Sequence, residues 1–305
     1  MLPLTVGICA YNEDWNMCQL LDNILNEQNL PDDAEILVVC SGCRDNTPFI
    51  VQQVKKRDSR VRLIEEPVRL GKARAVNRIL SEARGKNIVF ISADVTPKPN
   101  CLMALVKAMD DSTIGISCGK PRPIRRGSAP IRQVVETLWG FHNWQLERLN
   151  HRGILMHASE VFCIRSGVIH EIPENTINDD AYLAVATKER GFKIKFVPDS
   201  EVDVYGPQTF SDYMMQRRRI IAGHYQIRRA TGKFSAYILY AIIVRPRLTM
   251  RLFVEYLATT RQIKGVITLT LVETIANCMA TIDVLRRKSY SVWSICRTTK
   301  TSQEL

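Results

Sequence analysis

The sequence predicts an α/β fold: a mostly parallel, Rossmann-like sheet flanked by helices, followed by C-terminal amphipathic helices that associate with a membrane. Three observations predict it. Short apolar, β-branched runs alternate with helical patterns through most of the chain. The runs are apolar nearly throughout instead of alternating inward and outward, as strands covered on both faces are. Beyond Lys233 the mixed composition gives way to long apolar stretches with basic flanks.

The elements follow in order. LTVGICAY is a strand, and residues 14–29 form a helix with Leu20, Leu21, Ile24 and Leu25 on one face. EILVVCS is the second strand and 47–58 the second helix; VRLIEE and 71–84 are the third pair. NIVFISAD is the fourth strand, and Thr96, Pro97 and Pro99 predict a turn before a helix near 99–110. GISCGK is a fifth strand, and 128–150 is helical with Trp139, Phe141 and Trp144 close together. EVFCIRS and FKIKFVP are further strands around a helix, NDDAYLAVATKERG, that Gly191 stops. Residues 210–231 form a basic helix. Ligands of such sheets bind where the carboxyl ends of the strands open into loops. The tails Ala10–Glu13, Ser41–Asp45 and Ser92–Asp94 are therefore expected along one edge, within reach of a single ligand.

Two domains are expected: a catalytic one over 1–232 and a helical, membrane-associated one over 233–305. AYILYAIIV has nine residues, too few to cross a bilayer as a helix. Residues 266–285 have the right length and no Lys or Arg, but include Glu273 and Asp283. An acid at the centre of a spanning helix costs about 2.5–3.5 kcal/mol. Thr270, Glu273, Asn277 and Thr281 recur at helical spacing and share a face. A helix pair lying on or partly entering the membrane surface is preferred to a true span or to soluble core helices.

The chain has 305 residues, 46% hydrophobic and 24% charged, a composition that folds. Its net charge of +11 favours anionic partners: nucleic acid, an anionic membrane face or phosphorylated substrates. The basic clusters QRRRI, IRRA, RPRLTMR and LRRK are interleaved with apolar residues, as on a membrane-facing surface. There is no helix-turn-helix, zinc-finger or RNP pattern, which makes nucleic acid a poor fit. Nine scattered cysteines do not make a disulfide framework and suit a reducing cytoplasm. Cys40 and Cys43 form a lone C-x-x-C, and a zinc site needs a second pair or suitably spaced histidines. The N-terminal residues lack the basic and long apolar regions of a signal peptide.

Asp94, a lone acid at the mouth of an apolar strand, is by default a solvated turn residue. Its company changes that. AYNE at 10–13, VVCSGCRDNT at 38–47, GKARAVNRIL at 71–80, ISADV at 91–95, NDDAYLA at 178–184 and QRRRI at 216–220 follow one another in an alternating α/β chain. Together they resemble the family-2 glycosyltransferases, enzymes of the GT-A fold that move a sugar from a nucleotide diphosphate. The resemblance covers residues 3–230 or so. It implies an inverting hexosyltransferase that takes a nucleotide-diphosphate sugar, with UDP favoured and GDP open.

The resemblance also implies roles, and the chemistry accounts for the residue types. A diphosphate leaving group is neutralised by a divalent cation, Mg or Mn, with oxygen ligands; that role falls on Asp94. The acceptor hydroxyl needs a base, and the family's position for it is Asp180. Donor-binding positions fall on Tyr11, Glu13, Ser41, Lys72, Ala93, Asp179, Gln216, Arg218 and Arg219. A guanidinium fork suits phosphate oxygens. Blander readings stand beside these. Asn178 and Asp179 suit a helix cap with Asp180 on the dipole, Lys72 a solvated helix start, Arg217 a solvated or lipid-facing strip, and His157 a satisfied polar residue. The chain departs from the family pattern at Ser41, Ser92 and Ile220, where an acid, an acid and a tryptophan are common. Ile220 counts against a processive polysaccharide synthase. A lipid-linked or glycan acceptor at the cytoplasmic face of the cell membrane is expected. The alternatives are sugar-phosphate nucleotidyl transfer, which lacks its Gly-rich N-terminal loop here, a basic binding protein without catalysis, and an inactive sugar-binding relative.

Overall fold

A computed structural model describes residues 2–233, 246–260, 262–290 and 292. The apolar run at 236–244 and the closing residues from 293 lie outside them. The elements run β1 (Leu2–Ala10), α1 (Asp14–Glu27), β2 (Glu35–Ser41), α2 (Thr47–Arg57), β3 (Val61–Glu66), α3 (Lys72–Glu82), β4 (Gly85–Ser92) and β5 (Val95–Pro97). Then come α4 (Cys101–Ala108), β6 (Ile114–Pro123), α5 (Ala129–His151), β7 (Val161–Arg165), α6 (Asp179–Glu189), β8 (Lys193–Val204) and α7 (Phe210–Thr231). Two helices, α8 (Pro246–Thr259) and α9 (Ile263–Leu285), follow.

The eight strands form one sheet in the order β3-β2-β1-β4-β7-β6-β8-β5. The first four are parallel. Their side chains fill cores on both faces, as the unbroken apolar runs require. Leu4, Val6 and Ile8 of β1 pack with Leu20, Leu21 and Ile24 of α1 on one face. Leu37 and Val39 of β2 pack with Val76 and Ile79 of α3 on the other. Each such fully buried side chain contributes about 1.5–3 kcal/mol.

Beyond β4 the sheet is mixed. β7 runs antiparallel to both β4 and β6, while β6 and β8 are parallel. The stretch expected as a turn after Asp94 is a short edge strand instead: β5 pairs antiparallel with β8. Pro97 has no N–H to donate, and an edge strand tolerates that. The turn itself is confined to Ala93 and Asp94, which leaves that acid at the end of β4.

The tail helix α9 is the described helix that is long and apolar enough to cross a membrane. Its polar residues do share a face, and that face lies against α7. Glu273 accepts hydrogen bonds from Tyr213 Oη at 2.6 Å and from Arg217 Nε and Nη2 at 2.8 and 2.7 Å. Asn277 accepts one from Tyr225 at 2.8 Å. Asp283 takes a two-pronged pair from Arg218 at 2.9 and 2.8 Å, and a hydrogen bond from Tyr290. Between these polar anchors, buried Ala276 and Ala280 let the helix close on Ile221. The opposite face keeps Ile267, Leu271 and Ile275 more than half exposed.

Candidate active site

A cleft opens where the carboxyl ends of β1 and β4 meet the amino end of β7, roofed by α5, α6 and α7. Lys72, Ser92, Glu160, Asp179, Asp180 and Arg219 are among its lining residues. Backbone geometry delivers them. Gly71 has a φ of 104°, a conformation that favours glycine, and it turns the chain into α3 so that Lys72 opens the helix at the cleft. Lys72 Nζ meets Asp179 Oδ2 at 3.1 Å.

The loop before α6 is braced against α7. Asn178 donates to the Ile220 carbonyl at 2.8 Å. Gln226 accepts from the Ile177 N–H at 3.0 Å and donates to the Asn175 carbonyl at 2.7 Å. Gly223 permits the approach, because a Cβ there would sit 2.5 Å from the Asn178 side chain. Asn178 makes no side-chain cap on α6. The capping role open to Asn178 is therefore not seen, and Asp179 is held by a lysine. Asp180 sits beside His157, with Oδ2 to Nε2 at 3.9 Å.

Burial shifts the charged groups of the cleft. Burial raises the Asp180 carboxyl, with His157 opposing, Asp179 reinforcing and Lys72 opposing. Burial works to lower Lys72, but Asp179, with Asp180 and Glu160 behind it, holds its ammonium above the usual range. Arg219 is lowered by burial, against the pull of Asp179, Glu160, Asp180 and Asp94. Glu160 opens into the cleft water yet is ringed by protein, and that desolvation pushes it up to about 7. Asp94 reaches both Glu160 and Arg219 electrostatically.

Behind the acids the cleft is lined by Trp139 and three histidines, His142, His157 and His224. The His142 and His157 rings meet edge to face at 5.1 Å. His142 Nε2 and His157 Nδ1 are buried and find no hydrogen-bond partner among the described residues. Burial lowers all three, His224 to about 3, so they are neutral at pH 7.

The sequence-derived residues divide. Lys72, Asp179, Asp180, Gln216 and Arg219 come together in the cleft. Tyr11, Glu13 and Ser41 occupy the neighbouring strand ends. Arg69 stacks over the Tyr11 ring at 3.9 Å, Glu13 accepts from Asn16 at 3.2 Å, and the buried Ser41 Oγ has no partner among the described residues. Ala93 is buried in the turn beside Asp94. Arg218 is not in the cleft: Asp283 of α9 takes its guanidinium. Arg217, expected on a solvated strip, lines the cleft floor and is paired to Glu273. About 100° of helical rotation separates Arg218 from Arg219, which leaves the first on α9 and the second in the cleft. His157 is no satisfied polar residue. Sequence reasoning passed over Glu160, His142 and His224, whose common location depends on tertiary packing alone.

The described residues include no group of three or more His, Cys, Asp or Glu that could hold a metal ion. Carboxylates such as that of Asp94 are the hard oxygen donors that a divalent cation takes alongside substrate phosphates.

Comparison with known proteins agrees with this architecture. The family described as Glycosyl transferase family 2 matches residues 5–171. A probable glycosyltransferase, YdaM of Bacillus subtilis, is 25% identical over 230 residues, 72% of this chain and 55% of that protein. The chain spans about half the length of the curated relatives it matches. Among solved structures, the mannosyltransferase PcManGT from Pyrobaculum calidifontis, in complex with GDP-Man and Mn2+, has a TM-score of 0.71 at 21% identity, covering 94% of this chain and 88% of its own. Glucosyl-3-phosphoglycerate synthase from Mycobacterium tuberculosis, with Mn2+ and UDP-glucose, has a TM-score of 0.51 at 19% identity, covering 74% and 79%.

Proposed function

This chain belongs to glycosyl transferase family 2, and on that premise we propose that it is an inverting glycosyltransferase. It moves a sugar from a nucleotide-diphosphate donor, by preference a UDP-sugar, to a lipid-linked or glycan acceptor. The observation that supports this most is the meeting of Asp180, the Lys72–Asp179 pair and Arg219 in one cleft at the carboxyl ends of the parallel strands.

The acceptor oxygen attacks the anomeric carbon as the bond from that carbon to the diphosphate oxygen breaks. The electron pair leaves with the nucleoside diphosphate, and Asp180 takes the acceptor's proton. Burial makes Asp180 more basic than an ordinary carboxylate, which suits a general base. His157 lies 3.9 Å from it. Arg219 meets charge growing on the diphosphate, in a cleft where its own desolvation makes an anion welcome. Lys72 fixes Asp179 and adds a second cation. A magnesium or manganese ion held by Asp94 and the donor phosphates would neutralise the leaving group.

The same proposal puts the enzyme on the cytoplasmic face of the membrane. Support comes from the two faces of α9, one bonded to α7 and the other offering exposed Ile267, Leu271 and Ile275 to an apolar phase. The purified chain, given a panel of sugar nucleotides with manganese and detergent-dispersed polyprenyl or glycan acceptors, should release a nucleoside diphosphate. Release of pyrophosphate, or no turnover with any donor, refutes the reading.

A further inference from the structure

The family-like acid missing at Ser92 has a stand-in on the neighbouring strand. β4 and β7 pair antiparallel, with Ile91 opposite Val161 at the last rung. Continuing that register by one position sets Glu160 across from Ser92, on the same face of the sheet. Side chains directly opposite on an antiparallel pair have Cβ atoms about 4.5–5.5 Å apart. Both residues line the cleft. We propose that Glu160 supplies, from β7, the second carboxylate for the divalent cation that Asp94 anchors. The inference rests on the glycosyltransferase reading of the same site.

Several observations converge on it. Of the other cleft acids, Asp179 is paired with Lys72, and Asp180 lies 3.9 Å from His157. Asp94 and Glu160 have neither a hydrogen bond nor an ion pair among the described residues, although Glu160 feels Asp94, and both feel Arg219. Next to Glu160, Ser159 is 3% exposed, lines the cleft, and has a hydroxyl with no partner among the described residues. A buried hydroxyl without a partner among the described residues therefore stands next to Glu160, on which Asp94 acts electrostatically. Such hard oxygen donors are what a divalent cation takes. Two protein carboxylates still do not make a cage, so retention of the ion should depend on nucleotide phosphates.

Free manganese measured by electron paramagnetic resonance tests this without turnover. Manganese is titrated into the protein with saturating UDP, or with GDP if UDP does not bind. Glu160→Gln, which keeps shape and loses charge, is expected to weaken manganese binding at least tenfold while nucleotide affinity without metal changes less than twofold. Ser92→Asp added to Glu160→Gln should restore most of the loss, because it returns a carboxylate to the opposite strand. Asp94→Asn is the reference. Loss in Asp94→Asn with no loss in Glu160→Gln overturns this inference and leaves the enzyme reading standing. Failure of the unmodified protein to bind either nucleotide overturns both. A loss that Ser92→Asp does not restore overturns the exchange between strands. Unchanged thermal unfolding of Glu160→Gln shows that any loss is local.

Discussion

Two charged regions lie a helix-width apart on α7, and they handle charge in opposite ways. On the seam with α9, Arg217 and Arg218 each meet a carboxylate in two-pronged geometry, and Tyr213 and Tyr290 complete the acids' hydrogen bonding. In the cleft, Arg219 is desolvated and feels Asp179, Glu160, Asp180 and Asp94 together. Paired, hydrogen-bonded charges hold elements in place, whereas several charges gathered in a desolvated cleft shift one another's protonation, as at functional sites. The same Arg-Arg-Arg run thus docks α9 with two residues and brings the third into the cleft.

The comparison breaks most sharply at Asp180. Asp180→Asn should reduce transfer by about 10²–10⁴-fold, the usual worth of a positioned base. Donor affinity measured by calorimetry should change less than twofold. Full turnover in this variant would remove the base and return Asp180 to a helix-dipole role. Arg219→Ala comes next. Losing a preorganised cation at the leaving group should cost about 10²–10³-fold in turnover, and Arg218→Ala should cost little turnover at all. Equal losses at the two positions would erase the distinction between seam and cleft.

The seam is broken by Glu273→Ala. Its carboxylate and Arg217 are both about nine-tenths buried, and removing one partner strands the other. A loss of roughly 3 kcal/mol is expected, read as a fall in thermal midpoint. Arg218 is more open, so Asp283→Ala should cost less. A smaller effect sharpens the picture of the tail. Leu271→Asp with Ile275→Asp alters only the exposed face of α9 and should lower partitioning onto anionic vesicles several-fold, with the thermal midpoint nearly unchanged. Unaltered vesicle binding would detach this face from the membrane.

Much of this layout was legible in the sequence, for identifiable reasons. Element order follows from local apolar periodicity, which is why β1 through β4 and α4 fall where expected. Lys72, Asp94, Asp179 and Asp180 sit at strand or helix ends, and topology alone brings such ends to one edge. The polar stripe of α9 showed in its spacing, though its partner did not, because the phase of α7 relative to α9 is tertiary. The phase of a helix likewise decides that Arg217 and Arg219 line the cleft and Arg218 does not. Glu160 was hidden for a related reason. It reads as the first residue of a strand, and its meaning comes from a register between β4 and β7, elements some seventy residues apart in the chain. The mixed sheet beyond β4 was equally invisible, since an apolar strand does not state its direction.

The finest test of the cleft is its response to acid, where two groups pull in opposite directions. His224 sits at about 3 against an ordinary 6.5, because burial opposes its charge and His157 and Arg217 add to that. Its neutral form is the folded form. Unfolded chains take up that proton first, so its contribution is complete above pH 6.5 and is lost as pH falls toward 3, at up to about 1.4 kcal/mol per unit. Glu160, pushed up to about 7, has the reverse sign. The folded state protonates first, so stability is gained as pH falls from 7 toward the ordinary carboxylate range. Their opposition flattens the net curve, and the variants separate them. Urea unfolding at pH 7, 6 and 5 should show His224→Gln losing less stability on acidification than the unmodified chain, and Glu160→Gln losing more. Identical slopes in all three proteins would mean that water reaches both groups freely, and the desolvated cleft on which Arg219 depends would go with them.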